Sequence, residues 1–250
     1  MSITRQAGNA RASANNATFS SLTDTLTGFP LNSGDALIAT VSLQCHTAQT
    51  VSSIAQTNVT WNKIVSLLVS DNDAELWAAF NIPVSAGSTA TVDLSGSSGT
   101  NSGGVMNICE YSGLSNSGQP DKTATNSGSS TTETDSGITA TTSQASELWV
   151  ASIYDALSQS SPTNGFTLLD GSSQTGGNAY LEKIVNSTGT ANTGTTVIAS
   201  NWVGVIATFQ AAGTVSTPRI PRGGVGVGGV IILASPRPRL SIPKLTIRKV

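Results

Sequence analysis

An all-β, antiparallel sandwich is the fold this sequence predicts, and three observations predict it. Only 10% of the 250 residues are charged, far below the roughly 25% of an ordinary globular chain. Ser 36, Thr 33, Gly 25 and Asn 17 leave few good helix formers, and no dozen residues hold a 3.6-residue period. The 38% of hydrophobic residues fall instead into short runs between Gly/Ser/Asn/Thr clusters, which is the strand-and-turn pattern of a sandwich or barrel.

The elements follow in order. In 36–43 (ALIATVSL), Leu37, Ala39, Val41 and Leu43 share one face, as period-2 alternation requires. Further strands are expected at 63–69, 75–82, 89–94, 105–111, 148–154, 166–170, 179–185, 195–199 and 202–209. Leu37, Val41, Leu76, Ile108, Trp149, Ile153, Val205 and Phe209 make the expected core.

The chain also repeats itself. DALIATVS at 35–42 lines up with ELWVASIY at 147–154, both an acid followed by apolar alternation. In the same order, 59–65 corresponds to 164–169, 76–94 to 180–199, and 105–111 to 203–209. A competing register pairs ELWAA at 75–79 with ELWVA at 147–151. The first register is favoured because four elements agree in order. Two such halves folded on each other predict a two-sheet jelly roll over 18–213. Residues 1–17 read as a polar segment ahead of it. The low-complexity stretch 112–142 reads as the crossover between halves, with 134–140 a candidate strand.

Charge divides the chain. Residues 1–213 hold five Lys/Arg against fourteen Asp/Glu, a net of -9, whereas 214–250 hold seven bases and no acid. That second segment carries five of the nine prolines, which favour extended chain over helix. Its aliphatic side chains cannot make a core alone, and each left exposed forfeits about 1.5–3 kcal/mol. An extended, basic, apolar arm is suited to docking, by strand addition among other modes. Its docking residues are Arg219, Arg222, Ile231, Ile232, Leu233, Arg237, Arg239, Leu240, Ile242, Lys244, Leu245, Ile247, Arg248 and Lys249. The alternative is that it folds back to pair a free edge of its own body. The arm has no Trp, Tyr or Phe to stack bases, which argues against nucleic acid. The apolar run 223–234 is too short for a membrane span of about 20 residues. Residues 1–20 lack the apolar run of a signal peptide.

The succession GDALIA at 34–39, VTW at 59–61, ELW at 75–77 and EYSGL at 110–114 resembles a jelly-roll module of tailed-bacteriophage virion proteins and bacterial surface proteins, over about residues 18–212. The resemblance implies a concanavalin-like or carbohydrate-binding-like sandwich. It also implies a structural virion role, as a capsid decoration, fibre or tail component assembled in the host cytoplasm. Other virion proteins and further copies of this chain are the expected partners. The alternative is a glycan-binding or adhesion module, with a host surface glycan as partner. No catalytic residue and no cofactor come with it, and 214–250 lie outside it.

Residues that could carry chemistry are few. His46 and Cys45 are adjacent but have no second cluster to complete a metal site. No serine sits in a G-x-S-x-G setting beside the lone histidine. Glu110, Glu147 and Glu182 lie in or beside strands and are the candidates for paired-carboxylate glycoside chemistry; solvent-facing or rim charges are the plainer reading. Asp71, Asp73 and Glu75 form an oxygen-rich loop without EF-hand spacing, which an ordinary turn explains as well. Cys45 and Cys109 are expected as two buried thiols, or one bridge if their strands are neighbours. Trp61, Trp77, Trp149 and Trp202 are candidates to stack sugar rings, although each sits in an apolar run that favours the core.

Overall fold

Alternation along the chain becomes fourteen strands, with no helix among the described residues. The computed structural model describes residues 2–6, 10–15, 19–26, 29–45, 49–94, 101–171 and 177–213. In chain order the strands are β1 (Thr4–Arg5), β2 (Ala10–Asn15), β3 (Ser21–Thr25), β4 (Ala36–Cys45), β5 (Val51–Gln56), β6 (Asn62–Val69) and β7 (Asn72–Ala79). They continue with β8 (Thr89–Leu94), β9 (Asn101–Ser112), β10 (Lys122–Glu133), β11 (Ser146–Asp155), β12 (Thr167–Asp170), β13 (Asn178–Asn186) and β14 (Thr196–Gln210).

All pairings are antiparallel and make three sheets. The first runs β1-β9-β4-β7-β6, with β2 also on β9; the second runs β10-β14-β11-β13-β12; the third runs β3-β8-β5. The repeat read from the sequence is visible here. Order β9-β4-β7-β6 in the first sheet matches β14-β11-β13-β12 in the second, with β2 and β10 as matching outer strands.

The first sheet is a middle layer. Leu37, Ala39, Val41, Trp77 and Ile108 on one face meet Leu22, Ile54, Ala90 and Val92 of the third sheet. Ile38, Leu76, Ala78 and Tyr111 on the other face meet Leu148, Val150, Tyr180, Val205 and Phe209 of the second. Strands covered on both faces have no solvent side, so β7 and β11 are buried almost throughout. All eight residues expected in the core are buried.

Beyond the second sheet lies a fourth layer that is not a regular ladder. Backbone N–H groups of Thr134, Ser136, Thr139 and Thr142 donate to the carbonyls of Thr195, Thr193, Ala191 and Gly189 at 2.8–3.0 Å. In return, the N–H groups of Thr195, Thr193, Ala191 and Gly189 donate not to carbonyls but to the hydroxyls of those same four residues, at 2.8, 3.0, 2.8 and 3.2 Å. Side-chain oxygens complete the pairing.

Four expectations change. The sandwich has three sheets rather than two, because each half keeps its strands to itself, whereas a jelly roll shared between halves would mix them. Residues 1–17 contribute β1 and β2 instead of only preceding the sandwich. The crossover contains the 12-residue β10, stabilised by pairing with β14 rather than by apolar alternation. Runs 195–199 and 202–209 merge into β14.

Cys45 lies opposite Asn101 and Cys109 opposite Ile38 on one ladder. At about 3.3 Å per residue they stand roughly 25 Å apart, far beyond the limit of about 7 Å between Cα atoms for a bridge. Cys109 is a buried thiol, and burial pushes it up to about 12.

Candidate functional site

The three glutamates considered for paired chemistry end up on three different sheet faces. Glu110 faces the third-sheet side, since it pairs with Leu37. Its oxygens accept the N–H groups of Asn32 at 2.6 Å and Leu31 at 3.1 Å, so it holds that loop. Glu182 lies between the first and second sheets, where Tyr111 donates to it at 2.7 Å and Arg5 pairs with it at 3.0 Å. Glu147 faces the outer layer and accepts from the Trp149 indole at 3.2 Å. Burial, with the Asp121 carboxylate beside it, pushes Glu147 up to about 7. Asp121 itself overcomes a desolvation penalty: Lys122 at 2.8 Å and the Ser143 hydroxyl and amide, each at 2.6 Å, hold it well below the usual range.

The acidic loop divides in the same way. Asp71 is exposed in a turn, while Asp73 and Glu75 are fully buried. Glu75 accepts from Val51 N–H at 3.0 Å, Lys63 at 2.9 Å and the Trp77 indole at 2.6 Å. Burial and the charge of Glu75 raise Asp73 far above an ordinary aspartate, so it keeps its proton. Among the described residues no three His, Cys, Asp or Glu converge as metal ligands; His46 lies outside them.

Each candidate tryptophan is buried, at 5–9% exposure. Trp61 donates to Gln56 at 3.0 Å, Trp77 to Glu75 and Trp149 to Glu147. Lys63 covers the Trp77 ring, and Lys183 the Trp149 ring. Trp202 lies against Gly128 so closely that an added Cβ there would stand 2.6 Å from the indole. None of the four presents an open ring face to a sugar.

What the structure does bring together was not legible in the sequence. A two-residue hairpin turn, Ser70 and Asp71, joins β6 to β7, with Val69 paired to Asn72. Ser70 takes the left-handed φ of 55° that such turns demand. This tip meets β10 and β14 at one rim of the layer between the first and second sheets. Two adjoining hollows result, of about 290 and 350 Å³, sharing Ser70, Asn72 and Asn201. Gln44, Asp71, Tyr154, Ala156 and Ser200 complete one; Val69, Ser127, Gly128, Ser129, Trp202 and Val203 complete the other. Beneath them Asp155 accepts from Leu157 N–H at 2.8 Å and the Ser200 hydroxyl at 3.1 Å, fixing that wall.

All fourteen arm residues named above lie outside the described residues. Against protein-family models, curated proteins and solved structures alike, the chain finds no match.

Proposed function

We propose that this chain is a structural protein of a tailed-bacteriophage virion, docking into its assembly through residues 214–250. The split of charge carries the reading: a body of net -9 is joined to a segment holding seven bases and no acid. Opposite charges of that size steer association, while buried aliphatic groups hold the docked state.

Features of the body support it. Its buried acids and tryptophans are spent on internal contacts. Register shifts interrupt the edge strands β5, β6, β10 and β12, and irregularities of this kind discourage edge-to-edge aggregation. That protection matters where many copies crowd one surface.

Truncation after Gly213 tests the proposal. The melting temperature should stay within about 2 °C, which is under 1 kcal/mol for a body this size, and incorporation into particles should be lost. High salt should slow attachment more than it reverses it. A truncated body that unfolds or aggregates would make the segment a strand of its own sandwich and end the docking reading.

A further inference from the structure

We propose that the rim cleft between the two halves is a binding site for a neutral saccharide, a function separate from docking. Size comes first. The two hollows share Ser70, Asn72 and Asn201, and together they fall within the range of roughly 300–1,000 Å³ typical of small-molecule sites. Its walls come from both halves, which share one core between the first and second sheets.

Lining chemistry selects the ligand class. Gln44, Asn72 and Asn201 each offer donor and acceptor atoms, and Ser70 and Ser127 offer hydroxyls. A sugar hydroxyl also both donates and accepts, so amides and hydroxyls match it without a charge being buried. Asp71 adds one acceptor. Among the described lining residues there is no Lys, Arg or His, so a phosphate, sulfate or nucleic acid would meet a carboxylate and no counter-charge. Val69, 38% exposed, supplies apolar surface for the C–H side of a ring. Because the indole face of Trp202 is taken by Gly128, stacking contributes little and binding should be weak.

Rigidity favours the site as well. The Ser70 turn conformation, the Gly128–Trp202 contact and the Asp155–Ser200 bond set the wall positions before a ligand arrives, so little ordering cost falls on binding.

The test is a titration of the full-length, ¹⁵N-labelled chain with neutral mono- and disaccharides: glucose, galactose, mannose, N-acetylglucosamine and their dimers. At least one should give saturable shifts confined to residues 44, 70–72, 127–129 and 200–202, with a Kd on the order of 0.1–10 mM. Asn201→Ala and Asn72→Ala should each weaken it about fivefold or more, the loss of one hydrogen bond. Asn58→Ala, at an exposed amide outside the cleft that bonds Ser85, should leave sugar binding unchanged. If Asn72→Ala perturbs the hairpin, Ser129→Arg at an exposed edge position should block the cleft with an unchanged melting temperature. No saturable shift from any sugar, shifts mapping elsewhere, or binding that survives Ser129→Arg would overturn the proposal. Binding by sulfated sugars alone would overturn its neutral class.

Discussion

The outer layers of the two halves do the same job with different bonds. In the first half, β3 and β8 form an ordinary ladder, Ser21 opposite Asp93 through Thr25 opposite Thr89, and their threonines face outward. In the second half, 134–142 and 189–195 occupy the corresponding place, and hydroxyls of Thr134, Ser136, Thr139 and Thr142 accept the N–H groups that carbonyls would otherwise take. These four side chains are therefore buried or nearly so. A buried N–H must find an acceptor, and a Ser/Thr-rich chain can supply one without a regular strand. Threonine is decoration on one face and structure on the other.

The sharpest way to break the comparison is Gly194→Ala. A Cβ there would overlap the carbonyl oxygen of Thr134, a backbone atom of the hydroxyl-bonded ladder itself. We expect a loss of about 3–4 kcal/mol in urea unfolding, in the range of severe backbone clashes; a loss under 1 kcal/mol would mean that the ladder yields easily.

Thr139→Val is the next test. Valine keeps the shape but removes the acceptor for Ala191 N–H, and a buried donor left unmade costs about 1–3 kcal/mol. Hydrogen exchange at Ala191 should quicken more than at neighbouring amides.

A third test uses matched acids at the heads of β4 and β11. Glu147 stands where the sequence repeat puts Asp35, and burial beside Asp121 raises it to about 7. The folded chain thus keeps a proton that the unfolded chain releases above about 4.3. Stability from that proton is complete below 4.3 and is lost as pH rises through 7. Glu147→Gln keeps an acceptor for the Trp149 indole and removes the slope. Relative to the variant, the parent should lose up to about 2.5 kcal/mol between pH 5 and pH 8, reduced by the share of the shift that solvent screens, which is several degrees in Tm.

The smallest effect sharpens the contrast from the other side. Thr91→Val, on the outward face of the third sheet and hydroxyl-to-hydroxyl with Thr23 at 3.1 Å, should change stability by no more than about 0.5 kcal/mol. A loss as large as that of Thr139→Val would erase the distinction between the layers.

These same differences explain what could be read from the sequence. The inner strands of the two central sheets were legible because burial there calls for runs of apolar residues, and Leu37, Ile153 and Phe209 announced themselves that way. β3 and β10 were not, since an edge strand rich in Ser and Thr looks like a loop until a neighbour pairs with it. The 134–140 segment reads as a candidate strand, but its hydroxyl bonding has no compositional mark. The tryptophans read correctly as core from their apolar runs. Asp73 and Glu75 looked like loop oxygens, because their burial depends on β5, Lys63 and Trp77 closing over them. No local pattern marks the rim cleft, whose Ser70, Ser127 and Asn201 are distant in sequence and meet only through packing of the β6–β7 hairpin.

The seam between the halves has a consequence of its own. Asn178 donates to Thr40 at 2.7 Å, the Tyr111 and Tyr180 hydroxyls meet at 3.1 Å, and Arg11 reaches Asp170 at 2.8 Å. Each link joins positions that do not correspond in the two matching sheets, so a half pressed against a copy of itself would leave Glu182, Asn178 and Arg11 without their partners. Buried polar groups so stranded are costly. Cut within 114–120, the polypeptide should behave as a key and its lock: two pieces that rejoin with each other and refuse themselves.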